Sequence, residues 1–164
     1  MEYISSDTNI WLDFNAISKT ELPFRLPCTY IMYREALREE IITPAELLND
    51  LCSLGLKGVE LTIEEFFYAQ NLSKKYVKLS GYDRTALAIA KLRKIPLMTG
   101  DGPLRKAAQK ENVEVFGTIG LLDKLYNGAY IDESEYKLCL EGLLSHKERR
   151  LPEVELQRRL RSIE

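Results

Sequence analysis

Three aspartates stand where an α/β fold would present them to a ligand. Asp7 closes the short β-prone run Tyr3–Ser5. Asp101 closes the apolar run that begins at Leu97. Asp83 opens the alanine-rich stretch after Ser80. In parallel α/β sheets ligands bind beyond the carboxyl ends of the strands, so Asp7 and Asp101 would face one crevice if both strands are parallel and central. Asp83 lies one and two helical turns before Leu87 and Ala90, on the stripe that faces the core. A buried carboxylate without a partner is costly, and one divalent cation would partner all three. Each acid also has a local alternative. Asp83 reads as the third residue of a Ser80 capping box, Asp101 as the cap of the helix that starts near Pro103, and Asp7 as an Asx-turn with the backbone at Asn9.

The rest of the composition narrows the chemistry. The chain has 164 residues, 45% hydrophobic and 29% charged, which suits one soluble domain with a real core. His146 is the only histidine, which argues against Ser–His or Cys–His nucleophilic catalysis. Cys28, Cys52 and Cys139 are far apart without a C-x-x-C pair and read as buried free thiols rather than a zinc site. A net charge of −2 does not advertise nucleic-acid binding over the whole surface, which leaves room for a local basic patch. No run approaches the ~20 apolar residues of a membrane span. The N-terminus carries no basic stretch followed by an apolar one, so the expected location is the cytoplasm, with no membrane partner.

The elements that must position these acids alternate between short strands and helices. Strands are expected at Tyr3–Ser5, Gly58–Leu61, Pro96–Gly100 and Val113–Gly117. "TYIMYREALREEI", Thr29–Ile41, reads as a helix. Thr43-Pro44-Ala45-Glu46 reads as a capping-box start with proline at the first helical position, and Gly55 ends that helix. Thr62-x-x-Glu65 and Ser80-x-x-Asp83 are further capping boxes. This alternation predicts an α/β fold with a mostly parallel sheet of four to five strands between helical layers. Residues 1–130 are expected to form the domain and residues 131–164 a helical extension of it. In that extension Tyr136, Leu140, Leu143 and Leu144 share one helix face. Packing of this face on the domain's own core is favoured over a role in association.

"ISSDTNIWLDF" and "GYDRTALAIAKLRKIPLMTGDGPLRKAAQKENVEVFGTIGLLDKL" resemble the PIN-domain ribonucleases over roughly Met1–Leu125. The order is an Asp-Thr-Asn after a strand, an acid opening an alanine-rich helix, a strand ending in Thr-Gly-Asp, a helix, a short strand and Gly-Thr. The resemblance implies a three-layer α/β/α fold and a metal-dependent endoribonuclease, with Asp7, Asp83 and Asp101 converging on one or two Mg²⁺ or Mn²⁺ ions. It also implies a fourth acid on an intervening helix. Glu35 in "YREAL" fits best, with Glu39 and Glu40 as competitors, although Ala36 stands where the family usually has leucine. Asn9 and Thr99 match supporting positions near the metal. Arg84, Arg105 and Lys106 could hold substrate phosphates, and an ordinary surface charge is the plainer reading of each. Asp13 reads as structural. The implied reaction is attack by metal-activated water, leaving a 5′-phosphate and a 3′-hydroxyl. Many small bacterial and archaeal PIN proteins are toxins, so the resemblance admits RNA as substrate, an antitoxin protein as partner and a homodimer. Two other readings stay open: a PIN-fold binding or scaffold module with weak catalysis, and a receiver-type phosphoacceptor domain. The second lacks a lysine in "VEVFGTIG" at the last strand.

Overall fold

A computed structural model describes residues 2–164; Met1 lies outside the described residues. Its sheet has five parallel strands in the order β3-β2-β1-β4-β5. These are β1 (Glu2–Ser6), β2 (Cys28–Tyr33), β3 (Lys57–Val59), β4 (Leu97–Met98) and β5 (Val115–Phe116). The helices are α1 (Thr8–Ala16), α2 (Arg34–Glu40), α3 (Leu47–Leu54), α4 (Ile63–Lys75), α5 (Gly81–Arg93), α6 (Gly102–Lys110), α7 (Thr118–Asn127), α8 (Glu133–Ser145) and α9 (Glu153–Ser162).

Successive strand residues point to opposite faces, and the core divides accordingly. Leu97 packs with Leu72, Leu87, Ala90, Leu104 and Ala107 from α4, α5 and α6. Its neighbour Met98 joins a larger cluster holding Trp11, Phe14, Leu51, Leu121, Leu140 and Leu156. Three layers result, with α4–α6 on one face and α1–α3 and α7–α9 on the other.

Three local expectations are corrected. Cys28–Tyr33 is a strand, and only Arg34–Glu40 of the expected helix is helical. Thr29, Tyr30, Ile31, Met32 and Tyr33 are apolar, aromatic or β-branched, as befits a central strand covered on both faces, and such a run has no period that separates it from a helix. The Thr43 capping box does not form. Helix α3 begins at Leu47 without a side-chain cap, and the Leu47 amide donates instead to the Pro44 carbonyl, 3.1 Å away. The other two boxes form with both reciprocal bonds, at Thr62/Glu65 and Ser80/Asp83. Gly55 ends α3 at φ +128°, a conformation suited to glycine. Cys139 is buried, Cys28 half-buried and Cys52 exposed, and all three are free thiols. The expectation that all three are buried is corrected at Cys52, on the outer face of α3.

Tyr136, Leu140 and Leu143 are buried in the same core as Trp11 and Leu121, and Leu144 is partly buried against it. Leu156 brings α9 onto that core too. Among the described residues no helix is long and apolar enough to cross a membrane.

Candidate metal and nuclease site

The strand order reverses direction between β1 and β4. That is the topological switch point of the sheet, and it is where the crevice beyond the strand ends opens. Asp7 follows β1 and Thr99-Gly100-Asp101 follows β4, so the two motifs are neighbours across this junction. The Asp7 amide donates to the Met98 carbonyl at 2.9 Å.

Each acid is set by short-range chemistry. Asp7 caps α1, accepting from the Thr8 amide at 2.8 Å through Oδ1 and from the Thr99 hydroxyl at 2.8 Å through Oδ2. The Thr99 hydroxyl in turn accepts from the Asp101 amide at 3.1 Å. Asp101 caps α6, accepting from the Leu104 amide at 3.0 Å. Asp83 accepts from the Ser80 amide at 2.9 Å. Ser5 fixes α5 against β1 by donating to the Ala86 carbonyl at 2.9 Å, while Ser6 accepts from the Trp11 indole at 3.0 Å and seats α1. The small side chains of Ala86, Ala88 and Ala90, all buried, let α5 approach closely.

The electrostatics mark this edge out. Asp7 is 8% exposed. Burial pushes its carboxyl up to about 6; the Thr99 and Thr8 hydrogen bonds oppose that push, and the charges of Asp83 and Glu40 add to it. Asp83 is also raised, chiefly by burial; the Ser80 hydrogen bonds and Arg84 oppose the shift and the charge of Asp101 adds to it. Asp7, Asp83 and Asp101 thus form a chain of like charges, and among the described residues no cation forms an ion pair with any of them.

The three candidate glutamates occupy different surroundings. Glu40 accepts from the Thr8 hydroxyl at 2.7 Å, one residue from Asp7. Glu39 accepts from Tyr82. Glu35 accepts from Tyr33 at 2.8 Å on the exposed side of α2. Asn9 is exposed, and its carbonyl accepts from Arg149 at 3.3 Å. Arg84 is half-buried and donates to the Leu79 carbonyl at 3.3 Å. Arg105 donates to the Thr99 carbonyl at 3.2 Å, and Lys106 is exposed on α6.

Among the described residues no group of three or more carboxylate, thiol or imidazole side chains is drawn together closely enough to hold an ion directly. The expected close convergence of the aspartates is therefore not what the side chains adopt, since each carboxylate is turned toward the amides at its own helix start. The donor set still fits a hard cation. It is all oxygen and mutually repelling, and Mg²⁺ keeps several waters that can bridge carboxylates not in contact.

The part played by Thr8, which links Asp7 to Glu40, and the partners of Asp13, Thr118 and the partly exposed Arg149, escaped the sequence reading. Asp13 accepts from the Thr118 hydroxyl and from the Arg149 guanidinium, both at 2.6 Å. Thr8 was legible in Asp-Thr-Asn, but the contacts of Asp13 join residues more than a hundred positions apart and left no local signal.

A family model described as a PIN domain matches residues 4–164. No curated protein and no solved structure matches the chain.

Proposed function

The chain belongs to the PIN-domain family, and from that premise we propose that it is a divalent-metal-dependent endoribonuclease working through Asp7, Asp83 and Asp101. The observation that carries this reading is Asp7. It is a buried carboxylate with no ion-pair partner among the described residues, pushed upward by burial and by like charge, at the switch point of a parallel sheet. A bound Mg²⁺ or Mn²⁺ would activate water and absorb the charge that develops on phosphate.

The chain's own groups have defined tasks in this scheme. Asp7, Asp83 and Asp101 supply oxygen donors. The Thr99 hydroxyl orients Asp7 by donating to its carboxylate and Asp101 by accepting from its amide. Glu40 serves as the fourth acid in preference to Glu35, because the Thr8 hydroxyl ties it to the Asp7 side of the crevice. Arg84, Arg105 and Lys106 are phosphate contacts at the margin, where they would fix the backbone's position without reading its sequence. An antitoxin-type inhibitor and a homodimer remain partners of this proposal by family analogy.

A second reading, a PIN-fold binding module with weak catalysis, is favoured by one observation: the acids are not gathered around a single point. The two readings separate with purified full-length protein and single-stranded RNA. The nuclease reading expects cleavage that stops in EDTA, returns with Mn²⁺ or Mg²⁺ and is lost in Asp101→Asn. Equal cleavage in EDTA, or full activity in Asp101→Asn, would sink the metal mechanism. RNA binding without cleavage at any metal concentration would favour the binding module.

A further inference from the structure

The residues after α8 do more than cover the core. A cleft of about 750 Å³ lies between the starts of α6 and α7 and the segment Glu148–Pro152. It reaches Asn9 and Asp101, so it is continuous with the acidic edge. Its volume is that of a small-ligand site, and it combines apolar surface from Ile119, Leu151 and Pro152 with arginines.

Half of the charged side chains lining the cleft are already paired. Arg149 pairs with Asp13 at 2.6 Å. Arg159 pairs with Asp123 and Glu155, each at 2.8 Å. Among the described residues Arg105 and Arg150 form no ion pair. Glu148, on the exposed turn, is the remaining carboxylate besides Asp101. Arg105 lies over the β5–α7 turn, where a Cβ at Gly117 would stand 2.8 Å from its Nη1, so only glycine leaves the guanidinium in place. Helix α7 starts at Gly117 without a side-chain cap, which leaves its first amides facing the same side. Arg149 clamps the segment to α1 through the Asp13 carboxylate and the Asn9 carbonyl, and Arg150 follows it at φ +57°.

We propose that this cleft is a nucleotide subsite for the RNA strand next to the scissile phosphate. Arg105 and Arg150 bind a backbone phosphate, a base rests on Leu151 and Pro152, and Arg149 acts as a positioning residue. The proposal rests on the ribonuclease reading above and adds that the C-terminal segment builds part of the substrate site.

The test uses the full chain and a short fluorescent single-stranded RNA. Binding is followed by anisotropy across salt concentrations in EDTA, and cleavage is followed separately with Mn²⁺. Arg150→Asn is the main variant, because asparagine tolerates the left-handed backbone of position 150. It is expected to weaken binding about tenfold and to lower the salt slope by ~0.7. Arg150→Lys should recover most of the slope, Glu148→Gln should tighten binding, and KM should rise in Arg150→Asn with kcat nearly kept. Unchanged affinity and slope in Arg150→Asn, with wild-type cleavage intact, overturns the subsite and leaves the nuclease reading standing. Loss of slope in a chain that never cleaves supports the subsite and removes the nuclease reading. A wild-type chain that neither binds nor cleaves RNA overturns both.

Discussion

Helix α5 has a carboxylate site at each end, and the two ends are opposites. Near its last turn Glu65, 1% exposed, accepts two hydrogen bonds from Arg93, at 2.7 and 3.1 Å. Burial alone would raise Glu65, yet the guanidinium beside it and the Thr62 amide win, and its carboxyl ends below the usual range. Near the first turn, Asp7 is buried almost as deeply, at 8% exposed, and among the described residues it receives only neutral donors. Desolvation then wins, reinforced by Asp83 and Glu40. Burial is therefore common to both carboxylates, and what differs is whether the chain supplies the counter-charge. Where it does, the carboxylate is a fixed strut. Where it does not, the carboxylate's charge stays uncompensated by the chain, and that is the charge the proposed cation would balance.

The sharpest way to break this contrast is to neutralise each acid in turn. Asp7→Asn and Asp101→Asn should each lower metal-dependent RNA cleavage by about 100-fold or more. Glu65→Gln should leave the rate within about twofold, since no charge near the crevice changes. Equal losses in all three, measured as initial rates at saturating Mn²⁺, would erase the distinction.

Stability should move the other way. Glu65→Gln leaves Arg93 facing an amide and should cost about 2–3 kcal/mol; Arg93 is partly exposed, which keeps the loss below that of a fully buried pair. Asp7→Asn should stabilise the metal-free chain at pH 7 by about 2 kcal/mol, somewhat less than the whole shift, because the amide replaces one acceptor with a donor. Urea melts in EDTA check both signs, and added Mg²⁺ should shrink the advantage of Asp7→Asn by stabilising the wild type.

The pH dependence follows with opposite signs. The folded value of Asp7, about 6, lies above its usual 3.8, so the native state holds the extra proton between the two. Stability of the metal-free protein should fall as pH rises from about 4 to about 6 through this group. Glu65, lowered from 4.5, contributes stability that is present above its unfolded value and lost as pH falls through its folded one. Melts of wild type against Asp7→Asn from pH 4 to 7 isolate the first effect as a difference that grows with pH. A flat difference would mean that Asp7 is not raised.

The smallest expected effect sharpens the site itself. Glu40→Gln should lower cleavage about tenfold and Glu35→Gln hardly at all. The reverse ranking would restore Glu35 as the fourth acid and make the Thr8–Glu40 contact structural.

The sequence by itself determined the positions of Asp7, Asp83 and Asp101. Each is announced by a local signal, a strand end or a helix start, and caps are read from residues within one turn. It determined the parallel α/β class for the same reason, through alternating short runs and capping boxes. It did not separate strand from helix at Cys28–Tyr33, because a strand buried on both faces has no polar alternation to show. The tertiary structure alone decided which glutamate stands beside Asp7, since Arg34–Glu40 exposes Glu35, Glu39 and Glu40 alike in one dimension. It alone brought Arg149 to Asp13 and opened the cleft beside Asp101, because contacts between residues 13 and 149 depend on how the last helices fold back over the sheet.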